Sequence, residues 1–200
     1  MNTLTQLPRR WPAHVAACLA LAWSIAHTWA AEPAPSAQTA PLSPLTPIAG
    51  LDVARYMGVW HEVAKYPNWF QRKCASNTHA TYKVLGPGQV EVLNRCRTAE
   101  GKTIEALGLA RQIGAADSPN LEVRFAPEWL SFIPLVWGDY WVIDLDEAYQ
   151  LVAVSEPKRQ YLWVLSRTPN VNAPAYEALL QRLKARGFDL SKLEASAQLP

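Results

Sequence analysis

The chain has 200 residues, half of them hydrophobic, with 19 basic and 17 acidic side chains. That length suits one domain with its own core, and so ordinary a hydrophobic fraction excludes a multispanning membrane protein. A formal net charge of +2 excludes the strongly basic surface that binds nucleic acid by releasing counterions.

At the N-terminus, Arg9 and Arg10 precede an apolar stretch from Val15 to Ala26, the length of a signal-peptide core and too short to span a bilayer. Thr28-Trp29-Ala30 puts small residues at the two positions a signal peptidase reads, so residues 1–30 are expected to be a signal peptide cut near Ala30. Its removal takes away two arginines and no acid, leaving 17 basic against 17 acidic residues and no net charge. Val15-Ala16-Ala17-Cys18 offers an alternative, a lipobox with an acylated cysteine, but here the apolar run follows the cysteine instead of ending at it. Periplasmic secretion is the simpler expectation. Residues 31–50 hold five of the sixteen prolines among Ala, Ser and Thr, a composition that reads as an extended tether. The folded domain is then expected over 51–200.

From Leu51 onward, short alternating segments separated by turn residues predict strands at about 57–65, 77–85, 89–97, 102–111, 120–126, 137–145, 149–155 and 160–167. Gly86-Pro87-Gly88, Ala99-Glu100-Gly101, Asp117-Ser118-Pro119-Asn120, Asp146-Glu147 and Glu156-Pro157-Lys158 supply the turns. Eight antiparallel strands joined this way form a meander that closes into an up-and-down barrel without free edges, with a two-sheet sandwich as the competing architecture. After Pro169 the period changes: Tyr176, Leu179, Leu180 and Leu183 make one stripe, Pro174 suits a first helical turn and Gly187 a stop. One amphipathic helix is expected outside the sheet.

Nine Trp and seven Tyr are compatible with either a packed aromatic core or an amphipathic pocket. The stretch from Trp129 to Trp137 is apolar where a surface loop is usually polar. A lid over a pocket, a peripheral contact with a membrane surface, the interface of a homodimer and a longer buried strand all remain open for it. Cys74 and Cys96 are the mature cysteines, they flank the Gly86-Pro87-Gly88 hairpin, and an oxidising compartment favours joining them in a disulfide. No catalytic constellation is legible. His61-Glu62 begins like a zinc-protease motif, but position 65 is Lys and the pattern is that of a strand, so neither a metal nor a cofactor is expected.

Three stretches in order resemble the lipocalin family, in particular the bacterial lipocalins and the apolipoprotein D-like branch. They are Leu51-Asp52-Val53-Ala54-Arg55-Tyr56-Met57-Gly58-Val59-Trp60, Trp141-Val142-Ile143-Asp144-Leu145-Asp146-Glu147-Ala148-Tyr149, and Tyr161-Leu162-Trp163-Val164-Leu165-Ser166-Arg167-Thr168-Pro169. The resemblance covers about 51–193. It implies a mainly β fold, an eight-stranded antiparallel up-and-down lipocalin barrel with one C-terminal amphipathic helix packed outside. It implies that Arg167 stacks on Trp60 as a structural pair closing the barrel floor, and that Tyr82, Phe125, Tyr140 and Trp163 lie near a ligand pocket. If Trp60 points inward, alternation places Glu62 and Ala64 inward with it, and likewise Leu165 and Trp163 with Arg167. Ala80, Tyr82 and Val84 then share a face with Val90, Val92 and Asn94, which Phe125, Tyr140 and Val142 continue, giving an aromatic and nearly uncharged lumen. Val92 and Trp129 complete the expected ligand-binding set. The function implied is binding and storage or transport of a small hydrophobic ligand, a lysophospholipid or fatty acid, in a bacterial envelope; the alternative is a lipid-modifying enzyme on the same barrel. Bacterial members of the family are often outer-membrane lipoproteins, which bears on Cys18.

Overall fold

A computed structural model describes residues 42–199; the expected signal peptide and the tether as far as residue 41 lie outside the described residues. The final residues of the proline-rich stretch lie against the domain. Leu45 is buried, Ser43 and Thr46 accept hydrogen bonds from Arg159 and Arg186, and the Ile48 amide donates to Val142.

Eight strands follow one another around a closed antiparallel sheet: β1 (Gly58–Lys65), β2 (Ser76–Gly86), β3 (Gln89–Arg97), β4 (Thr103–Gln112), β5 (Asn120–Arg124), β6 (Gly138–Leu145), β7 (Leu151–Ser155) and β8 (Leu162–Ser166). β8 pairs with β1 and β1 pairs with β2, so the predicted meander closes as a barrel and the sandwich is excluded. The strand bounds agree with the sequence pattern to within about two residues because turn chemistry fixes the ends.

A short helix, α1 (Val53–Tyr56), is capped by the Asp52 carboxylate and leads into β1 across the base. A second, α2 (Ala173–Ala185), starts at the Asn172 cap, carries Pro174 in its first turn and ends before Gly187. Alternation splits the buried residues into two cores. The inner one joins Trp60, Tyr82, Val92, Val142, Val152, Val154 and Leu165 to the α1 residue Tyr56. The outer one packs Leu179 and Leu183 of α2 on Ile143, Leu151, Ala153, Leu162 and Val164. All five residues of β7 are therefore buried, whereas β4 has no helix on its outer face and leaves Leu107 63 % exposed.

Two bulges rephase the alternation. In β6, the shift between Val142 and Asp144 turns Asp144 toward α2, where Arg182 grips its carboxylate with two hydrogen bonds of 2.8 Å. In β1, the shift between Glu62 and Ala64 corrects the sequence expectation: Ala64 pairs with Val164 and belongs to the outer core, and Lys65, paired with Trp163, takes the inner face instead. A final short strand, β9 (Glu194–Ala195), pairs with Ala64 and Lys65 of β1. β1 and β2 pair directly only over Gly58–His61 and His79–Tyr82, and beyond this the C-terminal tail fills the seam. There Gln198 donates to the carbonyls of Glu62 and Thr78, one on each strand.

Candidate functional site

The barrel is shut at one end. Trp60 is fully buried, its indole N–H donates to the Tyr56 carbonyl at 2.8 Å, and the Arg167 guanidinium lies 3.9 Å from the centre of its ring. The same guanidinium donates to the carbonyls of Tyr149, Val59 and Arg55, tying β8, β1 and α1 into one plug. Gly58 sits beneath it at φ +95°, a backbone conformation that side-chain-bearing residues rarely adopt, which is what the glycine of the Gly-x-Trp signature supplies at the start of β1.

Above the plug, three tyrosines meet. Tyr140 lies at the centre, its hydroxyl 2.7 Å from that of Tyr56 and 3.0 Å from that of Tyr82. Tyr56 stacks on Tyr82 and leans on Trp60, with ring centroids 5.6 and 5.1 Å apart. Burial pushes the Tyr82 hydroxyl up to about 12 and drives Tyr56 and Tyr140 well above the usual phenol range. All three are neutral at physiological pH. Val92 stands opposite Tyr82 in the sheet.

The other end is open and is rimmed by the β1–β2, β3–β4, β5–β6 and β7–β8 loops. Trp163 faces inward there, stacked on Tyr161 at 5.8 Å and 6.1 Å from Phe70 of the β1–β2 loop. Across the mouth, Phe125 is half exposed at the end of β5 and its ring lies over Gly108 of β4. A Cβ at Gly108 would stand 2.7 Å from that ring, so this glycine makes room for Phe125 on the inner wall.

The mouth is more polar than the sequence suggested, since the β1 bulge brings Lys65 onto the inner wall beside Glu62. Glu62 is buried and accepts from Gln71 Nε2 at 2.6 Å and from Ser196 Oγ at 2.5 Å, and Lys65 Nζ lies 3.8 Å away. Gln71 Oε1 in turn accepts from the Trp163 indole at 2.9 Å. The nearly uncharged lumen expected from strict alternation is thus corrected in its upper part. His61 and His79 face each other on the outer surface, ring centroids 5.9 Å apart.

Cys74 and Cys96 form a disulfide, as their spacing predicts, which fastens the β1–β2 loop to β3. The apolar stretch after β5 contains no further strand. Two short 3₁₀ turns, Glu128–Leu130 and Pro134–Val136, hold it at the mouth, with Trp129 in the first of them. Phe132 and Leu135 are 78 % and 93 % exposed, and Trp137 is pinned by its N–H to Ser131 O and by the Arg111 guanidinium 4.1 Å over its ring.

The sequence-derived residues divide between the two ends. Tyr82, Val92 and Tyr140 meet above the floor, and Phe125, Trp129 and Trp163 belong to the mouth. Tyr56, Lys65, Gln71 and Ser196 were not singled out. Tyr56 sits in the helix ahead of the strand pattern, Lys65 was hidden by the bulge, and Gln71 and Ser196 come from segments without periodicity.

A single-domain antiparallel barrel, plugged at its base by an arginine on a tryptophan and open at a lined mouth, defines the class. The chain belongs to the lipocalin family: residues 51–198 match the model of the lipocalin-like domain. It is 39 % identical over 153 residues to temperature-induced lipocalin-1 of Arabidopsis thaliana, covering 76 % of this chain and 81 % of that one. It is 34 % identical over 149 residues to the outer membrane lipoprotein Blc of Escherichia coli K12, covering 74 % and 80 %. Among solved structures, insecticyanin from the tobacco hornworm Manduca sexta shares the fold with a TM-score of 0.60 at 19 % identity, over 78 % of this chain and 85 % of that one.

Proposed function

We propose that the protein binds a small hydrophobic ligand in the barrel lumen, a fatty acid or lysophospholipid, and stores or carries it in a bacterial cell envelope. The observation that carries this reading is the polarity gradient of the inner wall. Val92, Val142, Val154 and Leu165 line it with apolar groups, and its charged side chains, Lys65 and Glu62, stand at the mouth. An acyl chain laid along such a wall loses its contact with water, gaining about 0.8 kcal/mol for each buried methylene. Its anionic head stays at the mouth, where Lys65 is the nearby cation and water remains available. Trp163 and Phe125 frame the passage, the turn that carries Trp129 borders it, and Tyr82, Val92 and Tyr140 receive the far end of the chain.

Binding without turnover is supported by the engagement of Glu62. The carboxylate best placed for acid–base work is committed to Gln71, Ser196 and Lys65. The name of the Blc relative, an outer membrane lipoprotein, favours an envelope location, with periplasmic secretion as the primary reading and acylation of Cys18 as the alternative. The exposed Phe132 and Leu135 favour a peripheral membrane contact at the mouth over a homodimer, because they project beside the opening a lipid must cross. Native mass spectrometry of protein purified from a periplasm tests the proposal. One fatty acid or lysophospholipid per chain is expected, and Trp163→Ala should weaken its retention about tenfold. Protein that stays empty, and takes up neither lipid when loaded in vitro, would overturn the proposal.

A further inference from the structure

The tyrosine cluster contains one more proton than its own bonds can use. Three hydroxyls bring three donors, and among the described residues they bond only to one another, through two contacts. Whichever way the chain of bonds runs, one O–H is left over, at a site where Tyr56 and Tyr82 are 3 % and 7 % exposed and Tyr140 is partly buried. A buried donor of this kind is costly unless something accepts from it. No side-chain carbonyl or carboxylate lies in the cluster to do so.

The surroundings define what fits. An ionised group is disfavoured, because the nearest guanidinium, that of Arg167, lies beyond Trp60 and gives its N–H groups to three backbone carbonyls. A neutral acceptor meets no such penalty. We propose that the floor of the lumen is a subsite for an uncharged oxygen on the ligand, a ketone or hydroxyl part-way along an acyl chain, which accepts the free tyrosine proton. The preferred ligands are therefore oxygenated acyl lipids rather than plain ones. This rests on the lumenal-lipid reading above and adds a direction: head at Lys65, oxygen at the tyrosines. Seven residues of β1 separate Lys65 from Gly58, the partner of Tyr82, about 23 Å of strand at roughly 3.3 Å per residue before tilt is allowed for. The oxygen consequently belongs well down the chain and not beside the head.

The test uses stearate and a series of oxostearates with the ketone walked along the chain, in competition with an apolar fluorescent probe bound to the full mature protein. A mid-chain ketone should bind about tenfold more tightly than stearate, and a ketone next to the carboxylate should gain nothing. The triple variant Tyr56→Phe, Tyr82→Phe, Tyr140→Phe removes every hydroxyl together and strands none, so it should fold and bind the mid-chain ketone no more tightly than it binds stearate. Should that variant not fold, the infrared band of a ¹³C-labelled mid-chain ketone bound to unaltered protein decides. A band lowered from its position in hydrocarbon supports the subsite, and a hydrocarbon-like band overturns it. Probe and stearate binding with no ketone preference overturns this inference alone, whereas failure of every lipid to bind overturns the lumenal reading as well.

Discussion

Arg167 joins two roles in one side chain: it covers Trp60, and it links three carbonyls from separate elements. Its cation–π contact is worth about 0.5–2 kcal/mol, and the charge-assisted hydrogen bonds add to that. Arg167→Ala is expected to lower unfolding free energy by about 2–4 kcal/mol in urea titrations while changing lipid affinity by less than about twofold, because the floor lies below the ligand. A variant with unchanged stability and abolished binding would contradict this division of labour. Trp60 and Arg167 were legible in the sequence only through the spacing of the family signatures. Tyr56 lay inside the first of those signatures, yet nothing in the sequence shows that a helix would swing its hydroxyl to within 2.7 Å of Tyr140.

At the scale of elements, the strands were legible because alternation and turn residues act locally. The bulge after Glu62 was not, since one extra residue in a strand has no compositional mark, and it exchanged Ala64 for Lys65 on the inner wall. The tail was equally silent: Glu194 to Leu199 shows no period, and its place in the seam depends on β1 and β2 diverging beyond His61 and His79. The β1–β2 loop is held by the Cys74–Cys96 disulfide, whose 22-residue separation corresponds to about 3 kcal/mol of chain entropy removed from the unfolded state. Reduction is therefore expected to shift the urea midpoint downward and to loosen Gln71 from Glu62, reported by faster amide exchange over 66–75. Coincident oxidised and reduced unfolding curves would show that the bond constrains nothing.

For the whole molecule, alkaline pH probes the fold through its base. Tyr82 titrates near 12 in the folded state against about 10 when unfolded, so the stabilisation it reports is fully present below about pH 10 and is lost as pH rises through 12. Tyr56 and Tyr140 are displaced in the same direction. Cooperative unfolding is expected within that window, with the tyrosinate absorbance of all three appearing together with the loss of β-sheet circular dichroism, and the triple phenylalanine variant should unfold at higher pH. Tyrosinate absorbance from these residues in a still-folded barrel would refute it.

The unequal covering of the sheet has a mechanical consequence. β7 is clamped on both faces, by the lumen side chains and by α2, whereas β4 meets solvent along its outer side and presents Ala106 and Gly108 inward. The cup therefore has a stiff wall and a compliant one. On the proposed reading, a bulkier guest would push β4 outward at little cost in packing, while β6 and β8 hold Tyr140 and Trp163 in place.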